Sequence, residues 1–69
     1  MPEQLTPREA EVLRLLAWGY TRKDMAERLG IGERTVEFHQ RSGMRRLGMA
    51  TRRELVAFAV TSGWMLIPP

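Results

Sequence analysis

The 69-residue chain has no cysteine and one histidine, His39. Disulfides are excluded, and so is a zinc site built from several thiolates and imidazoles of this chain. The expected role of His39 is that of a helix-capping or core-edge side chain. The lack of cysteine fits a reducing cytoplasm. No apolar run approaches the roughly 20 residues needed to span a bilayer. The opening, MPEQLTPREAE, has neither the basic nor the apolar region of a secretion signal. A cytoplasmic protein with no membrane contact is expected. Internal repeats and low-complexity segments are also absent. No nucleophile stands beside a plausible base, and no Gly-rich phosphate loop follows a strand pattern. The chain is therefore expected not to be an enzyme, and to hold no metal, cofactor or small-molecule ligand within this domain.

What is there suits one small domain, residues 1–69, with a single modest core: hydrophobic residues make up 43%. The formal net charge is +3, which points to a polyanionic partner. The charge is unevenly distributed. Between Tyr20 and Arg53 nine Lys or Arg face four acids, a local charge of +5, and the two ends together carry −2.

Helix punctuation divides the chain into four. Thr6, Pro7 and Glu9 form the start of a first helix, a capping box with proline at the first position. Leu5 serves as a staple, Val12, Leu13, Leu16 and Ala17 form the buried side, and Gly19 is the stop. Thr21 caps a second helix, Arg22 to Leu29, whose apolar stripe is Met25, Ala26 and Leu29. Asp24 and Glu27 are expected to partner Lys23 and Arg28. Thr51 and Glu54 form another capping box before a helix from Arg52 to about Ser62. Its centre, Leu55 to Val60, is apolar around most of its circumference, more than docking requires, and the spare face is a candidate for self-association. The greasy Trp64–Ile67 tail could cover the core or lie against a partner. Trp18 and Trp64 read first as packing residues.

Ile31 to Gly48 carries the functional signal. After the linker Gly30-Ile31-Gly32, a helix places Val36, His39, Gln40, Gly43 and Leu47 inward. Arg34, Glu37, Phe38, Arg41 and Arg45 fall on a different face. Three arginines, a carboxylate and an aromatic ring suit a charged, hydrogen-bonding surface such as a DNA groove. Two helices across a short Gly-containing turn make a helix-turn-helix, residues 21–48, whose second helix enters the major groove. Gly43, in mid-helix, marks either a close helix crossing or simple tolerance.

The pieces Leu5–Leu13 (LTPREAEVL), Gly19–Ala26 (GYTRKDMA), Arg34–His39 (RTVEFH), Arg46–Met49 (RLGM) and Thr51–Leu55 (TRREL) stand in a fixed order and spacing. Together they resemble the LuxR-type helix-turn-helix family. That domain ends quorum-sensing receptors and NarL-like response regulators, and occurs alone in GerE-like regulators. The resemblance implies an all-α, four-helix domain that binds DNA through its third helix and dimerises through its fourth. It implies base-reading roles for Glu37, Phe38 and Arg41. Phosphate contacts would fall to Thr21, Lys23, Thr35, Arg45 and Arg52, joined by Arg34 from the exposed face. Val56, Val60 and Trp64 are the candidate dimer contacts. The implied partners are double-stranded DNA, a second copy of the chain and, as a further candidate, RNA polymerase, at the bacterial nucleoid.

The sequence also departs from the pattern. Glu37 stands where Lys or Arg is frequent, Gly32 replaces the usual Ser cap, and Arg22 and Ser42 replace Asn. Gln40 and Gly43 replace aliphatics, which predicts a thin core under the third helix. Two other classes compete. A sigma-factor region-four-like domain shares the LTPRE opening but ends with its recognition helix. A protein-interaction adaptor that has lost DNA binding would explain Glu37. The sequence reads equally as a complete small protein and as an excised effector domain of a longer regulator.

Overall fold

Four helices, and no strand among the described residues, make up the computed structural model, which describes residues 4–69. They are α1 (Pro7–Ala17), α2 (Arg22–Leu29), α3 (Glu33–Arg46) and α4 (Arg52–Thr61). Each begins where the sequence offers a cap. The Thr6 hydroxyl accepts from Glu9 N–H while Glu9 accepts from Thr6 N–H, and Thr51 and Glu54 repeat the arrangement on α4. These reciprocal bonds satisfy donors that the first turn of a helix otherwise leaves unpaired. The Glu54 carboxylate also accepts from Ala50 N–H, and these backbone donors hold its pKa below the ordinary value. At α2 the Thr21 hydroxyl accepts from Asp24 N–H. Only α3 starts without a side-chain cap, at Gly32. Asp24 and Glu27 do not pair with Lys23 and Arg28 as expected; Arg28 instead lies over the Tyr20 ring, 5.4 Å from its centroid.

α1 is the hub and touches the other three helices. Val12, Leu13, Leu15, Leu16 and Ala17 are all buried on it, against Met25 and Ala26 of α2, Val36 of α3, and Leu55 and Ala59 of α4. Leu15 was not among the expected core positions. It lines a hollow of about 200 Å³ with Leu29 and with Pro69, the last residue of the chain. The tail thus returns to the side of α1 that the helices leave open. Leu5 packs on the same core, and Trp64 and Met65 pack against it from the tail. Trp18 Nε1 donates to the Trp64 carbonyl at 3.4 Å, and the Trp64 ring meets Phe58 edge-on at 5.2 Å. Leu66 and Ile67 remain exposed.

α3 crosses α1 at Gly43. A Cβ at that position would stand 2.9 Å from Leu13 Cδ1 and 3.4 Å from Glu9 Cβ. Glycine is there because α1 comes that close, which settles the choice between crossing and tolerance. Beneath α3, Leu13 of α1 stands where an aliphatic side chain at Gly43 would have been, and α3 itself contributes Val36 to the buried apolar core. Val36 and Gly43 are buried as expected, whereas His39, Gln40 and Leu47 are only half-buried. The His39 ring edge meets Phe38 at 5.5 Å.

The same crossing carries a buried charge. Glu9, 3% exposed, accepts from Ser42 Oγ and lies 3.1 Å from Arg46 Nε, both on α3. One carboxylate therefore caps α1 and ties it to α3. The Ser42 hydroxyl, then the Thr6 N–H and Arg46, hold its pKa down at about 2, although burial acts in the opposite direction.

Two predictions concern this crossing. Gly43→Leu forces a side chain into Leu13 and should destabilise the domain by about 2 kcal/mol or more, despite the gain of about 1 kcal/mol in helix propensity. Urea unfolding checks it, and an unchanged midpoint would show that α1 can retreat. For Glu9, the folded pKa lies below the ordinary 4.5. The ionised group therefore adds stability that is fully present above about pH 4.5 and is lost as pH falls toward about 2. Glu9→Gln should flatten that acid limb. Unfolding curves between those limits read the difference, and parallel limbs for the two proteins would overturn the assignment.

Candidate nucleic-acid interface

The linker between α2 and α3 sets the angle at which α3 is presented. Gly30 adopts a left-handed conformation, φ 69°, and Ile31 N–H bonds back to the Ala26 carbonyl. This closes α2 with the glycine such a C-cap favours. Ile31 packs against the core, and Gly32 opens α3. Hydrogen-bonded at the turn and crossed by α1 at Gly43, α3 has one face fixed and the other free.

The free face carries Arg34, Thr35, Phe38, Arg41 and Arg45, all exposed. Phe38 is 64% exposed, far more than a packing residue needs. Glu37, half-buried, accepts from Arg41 Nη2 at 2.9 Å, one helical turn away. The structure thus joins two of the three expected base-reading residues to each other. Around them lies a shallow groove of about 460 Å³, bounded by Arg22, Arg41 and Arg45 and floored by Gln40, Met44 and Met49.

Thr21 and Lys23 are exposed at the start of α2, beside this groove. The N-terminal end of a helix carries a partial positive charge and unpaired N–H groups, which favour a phosphate. Arg22 belongs with them. The sequence marks it only as a departure from the family pattern, yet it lines the groove with Arg41 and Arg45. Its place in the basic run at the start of α2 was the available signal. Arg52 is exposed, but its Nη2 donates to the Leu16 carbonyl at the end of α1, 3.3 Å away. It therefore fastens α4 to α1, with other guanidinium donors left over. Arg46, also basic and on α3, is turned away to Glu9.

The three candidate dimer residues have different surroundings. Val60 is 61% exposed on α4, Val56 is half-buried, and Trp64 is half-buried with its ring against Phe58. Leu55 and Ala59, on the opposite side of the helix, are fully buried. The face of α4 that the core leaves free is therefore the one bearing Val60 and Ala57.

No helix among the described residues is long and apolar enough to cross a membrane. No group of three or more His, Asp or Glu among them could hold a metal ion.

Comparison with known proteins agrees with this geometry. The chain is 38% identical over 61 residues to the transcriptional regulatory protein MctR of Rhizobium johnstonii, covering 88% of this chain and 28% of MctR. It is 43% identical over 56 residues to the oxygen regulatory protein NreC of Staphylococcus aureus, covering 81% and 26%. The fold superposes on the response regulator RcsB of Salmonella typhimurium with a TM-score of 0.80 at 30% identity, covering 86% of this chain and 28% of RcsB. For VqmA of Vibrio cholera, in a complex with ligand and DNA, the TM-score is 0.81 at 30% identity, over 100% of this chain and 30% of VqmA. The chain thus spans between a quarter and a third of the length of these relatives. The sequence model of the family described as bacterial regulatory proteins, luxR family, matches residues 3–59, and the chain belongs to that family.

Proposed function

We propose that the chain is a sequence-specific DNA-binding domain of a bacterial transcription regulator, with α3 in the major groove. The carrying observation is the exposed stripe of Arg34, Phe38, Arg41 and Arg45 on a helix whose other face is fixed by α1. In this reading Glu37, Phe38 and Arg41 meet base edges. Arg guanidinium suits guanine, and an exposed ring suits the thymine methyl. Thr21, Arg22, Lys23, Arg34, Thr35 and Arg45 hold phosphates and set the register. Structures of RcsB dimers bound to DNA, and of VqmA with ligand and DNA, support the reading through their similarity to this chain.

Two copies would bind related half-sites about one helical turn apart, pairing through α4 around Val56 and Val60. The domain would work at the chromosome, in the cytoplasm. Residues 21–48 supply the helix-turn-helix and residues 52–62 the dimer contact. The adaptor alternative loses its clue, because the Glu37 carboxylate is engaged with Arg41 and adds no isolated negative charge. The fourth helix and the family match set aside the sigma-like reading.

Selection of bound duplex from a random pool, followed by salt titration, tests this function. Binding should weaken with salt at a log–log slope of about 0.9 per phosphate contacted. Lys23→Ala should lower that slope and weaken all sequences alike. Arg52→Ala should lower thermal stability, because α4 loses its side-chain hydrogen bond to the end of α1. Absence of binding at low salt would remove DNA as the partner. Val60→Glu should leave the monomer folded and reduce cooperative filling of two half-sites. Intact cooperativity in that variant would place the pairing surface elsewhere.

A further inference from the structure

We propose that Glu37 and Arg41 act as one reading unit for a single G·C base pair; this rests on α3 being the DNA-reading helix. The observation is the ion pair itself: Arg41 Nη2 donates to Glu37 Oε2 at 2.9 Å, on the exposed side of α3 and at the rim of the groove. The pair presents a fork of N–H donors next to a carboxylate acceptor. The major-groove edge of a G·C pair presents the complement in the same order: N7 and O6 of guanine as acceptors, then the N4 amino donor of cytosine. Guanine O6 and cytosine N4 are themselves hydrogen-bonded, so they lie about 2.9–3.0 Å apart. That matches the separation of the Arg41 and Glu37 atoms. The guanidinium can therefore meet N7 and O6 while the carboxylate accepts from N4, with the ion pair still made.

Two consequences distinguish this arrangement from an arginine reading guanine alone. With adenine in place of guanine, the guanidinium meets an amino donor and the carboxylate meets thymine O4. With thymine in place of guanine, a methyl group takes the place of N7 before the guanidinium, while the carboxylate still finds the adenine amino group. Both halves of the unit therefore reject A·T together, and the guanidinium half rejects T·A. The unit is also nearly neutral, so it draws the protein to phosphates far less than a lone arginine would. Arg22, Arg34 and Arg45 are in none of the ion pairs among the described residues and keep that attraction. Charge that holds any DNA is thereby separated from the pair that selects one sequence. Glu37 is a positioning residue for Arg41 as well as an acceptor, because its carboxylate fixes which way the fork opens.

A double-mutant cycle tests the proposal. The wild type, Glu37→Gln, Arg41→Ala and the double variant are titrated against the selected operator, against operators carrying each of the other three base pairs at the G·C position, and against a random duplex. Wild-type preference for G·C should be roughly 5- to 150-fold. Each single variant should abolish most of it, and the double variant should do no worse than either, because the two residues form one unit. A glutamine can turn an amide oxygen or an amide NH₂ to the base, so it should no longer distinguish cytosine from thymine. Glu37→Gln should also tighten the random duplex and steepen its salt slope by up to about 0.9, as Arg41 becomes free for phosphate. A merely structural pair would shift every sequence by the same factor and leave base preference intact, which would overturn the proposal. So would independent, additive losses of preference at two different base pairs. Wild-type protein that binds no duplex at low salt would instead overturn the DNA reading of α3 itself, and the proposal with it.

Discussion

The crossing of α1 over α3 decides where everything else in the domain can sit. Leu13 reaches to within van der Waals contact of the α3 backbone because Gly43 has no side chain to hold it off. A few residues along, the buried carboxylate of Glu9 takes hydrogen bonds from Ser42 and Arg46 of α3 and from its own N-cap. An apolar contact of this kind tolerates some sliding, because it has no direction. A buried charge does not, because a carboxylate left without donors in the interior is strongly destabilising. Together they fix both the distance between the two helices and their register.

α3 consequently does two jobs with two sets of residues. Val36, Gly43, Ser42 and Arg46 belong to its attachment, whereas Arg34, Phe38, Arg41 and Arg45 belong to its free face. Arginines appear in both sets, so residue type alone does not sort them. Arg46 neutralises a buried acid, Arg41 is held by an acid at the surface, and Arg45 has no ion-pair partner among the described residues. Net positive charge is a blunt description of such a surface. The proposed reading centre is locally balanced, and the unbalanced cations stand around it.

α4 and the tail complete α1 from the far side. Leu55 and Ala59 seal the core, Arg52 bonds the last turn of α1, and Trp64 closes against Trp18 and Phe58. Val60, Leu66 and Ile67 are left uncovered. Single exposed apolar side chains are ordinary on a protein surface. Val60 is distinguished by lying on a helix whose opposite side is fully spent on the core.

The sequence by itself determined the four helices, because caps, stops and apolar spacing are local signals. Thr6, Thr21 and Thr51 stand three residues before an acidic residue and cap their helices, and the helix bounds hold in the structure to within a residue or so. The exposed face of α3 was legible for the same reason: helical period separates Arg34, Phe38, Arg41 and Arg45 from Val36 and Gly43. The order of the short motifs gave the family. Tertiary structure alone decided what those side chains meet. Glu9 reads as a simple cap until Ser42 and Arg46, more than thirty residues away, close on it. Arg52 looks like a free cation until the end of α1 lies beside it, and Arg22 joins the groove only when α2 and α3 are folded together. Gly43 is a weak helix residue in sequence and a necessary one at a crossing. These are contacts between segments distant in the chain, and local spacing carries no information about which polar group will be brought against which.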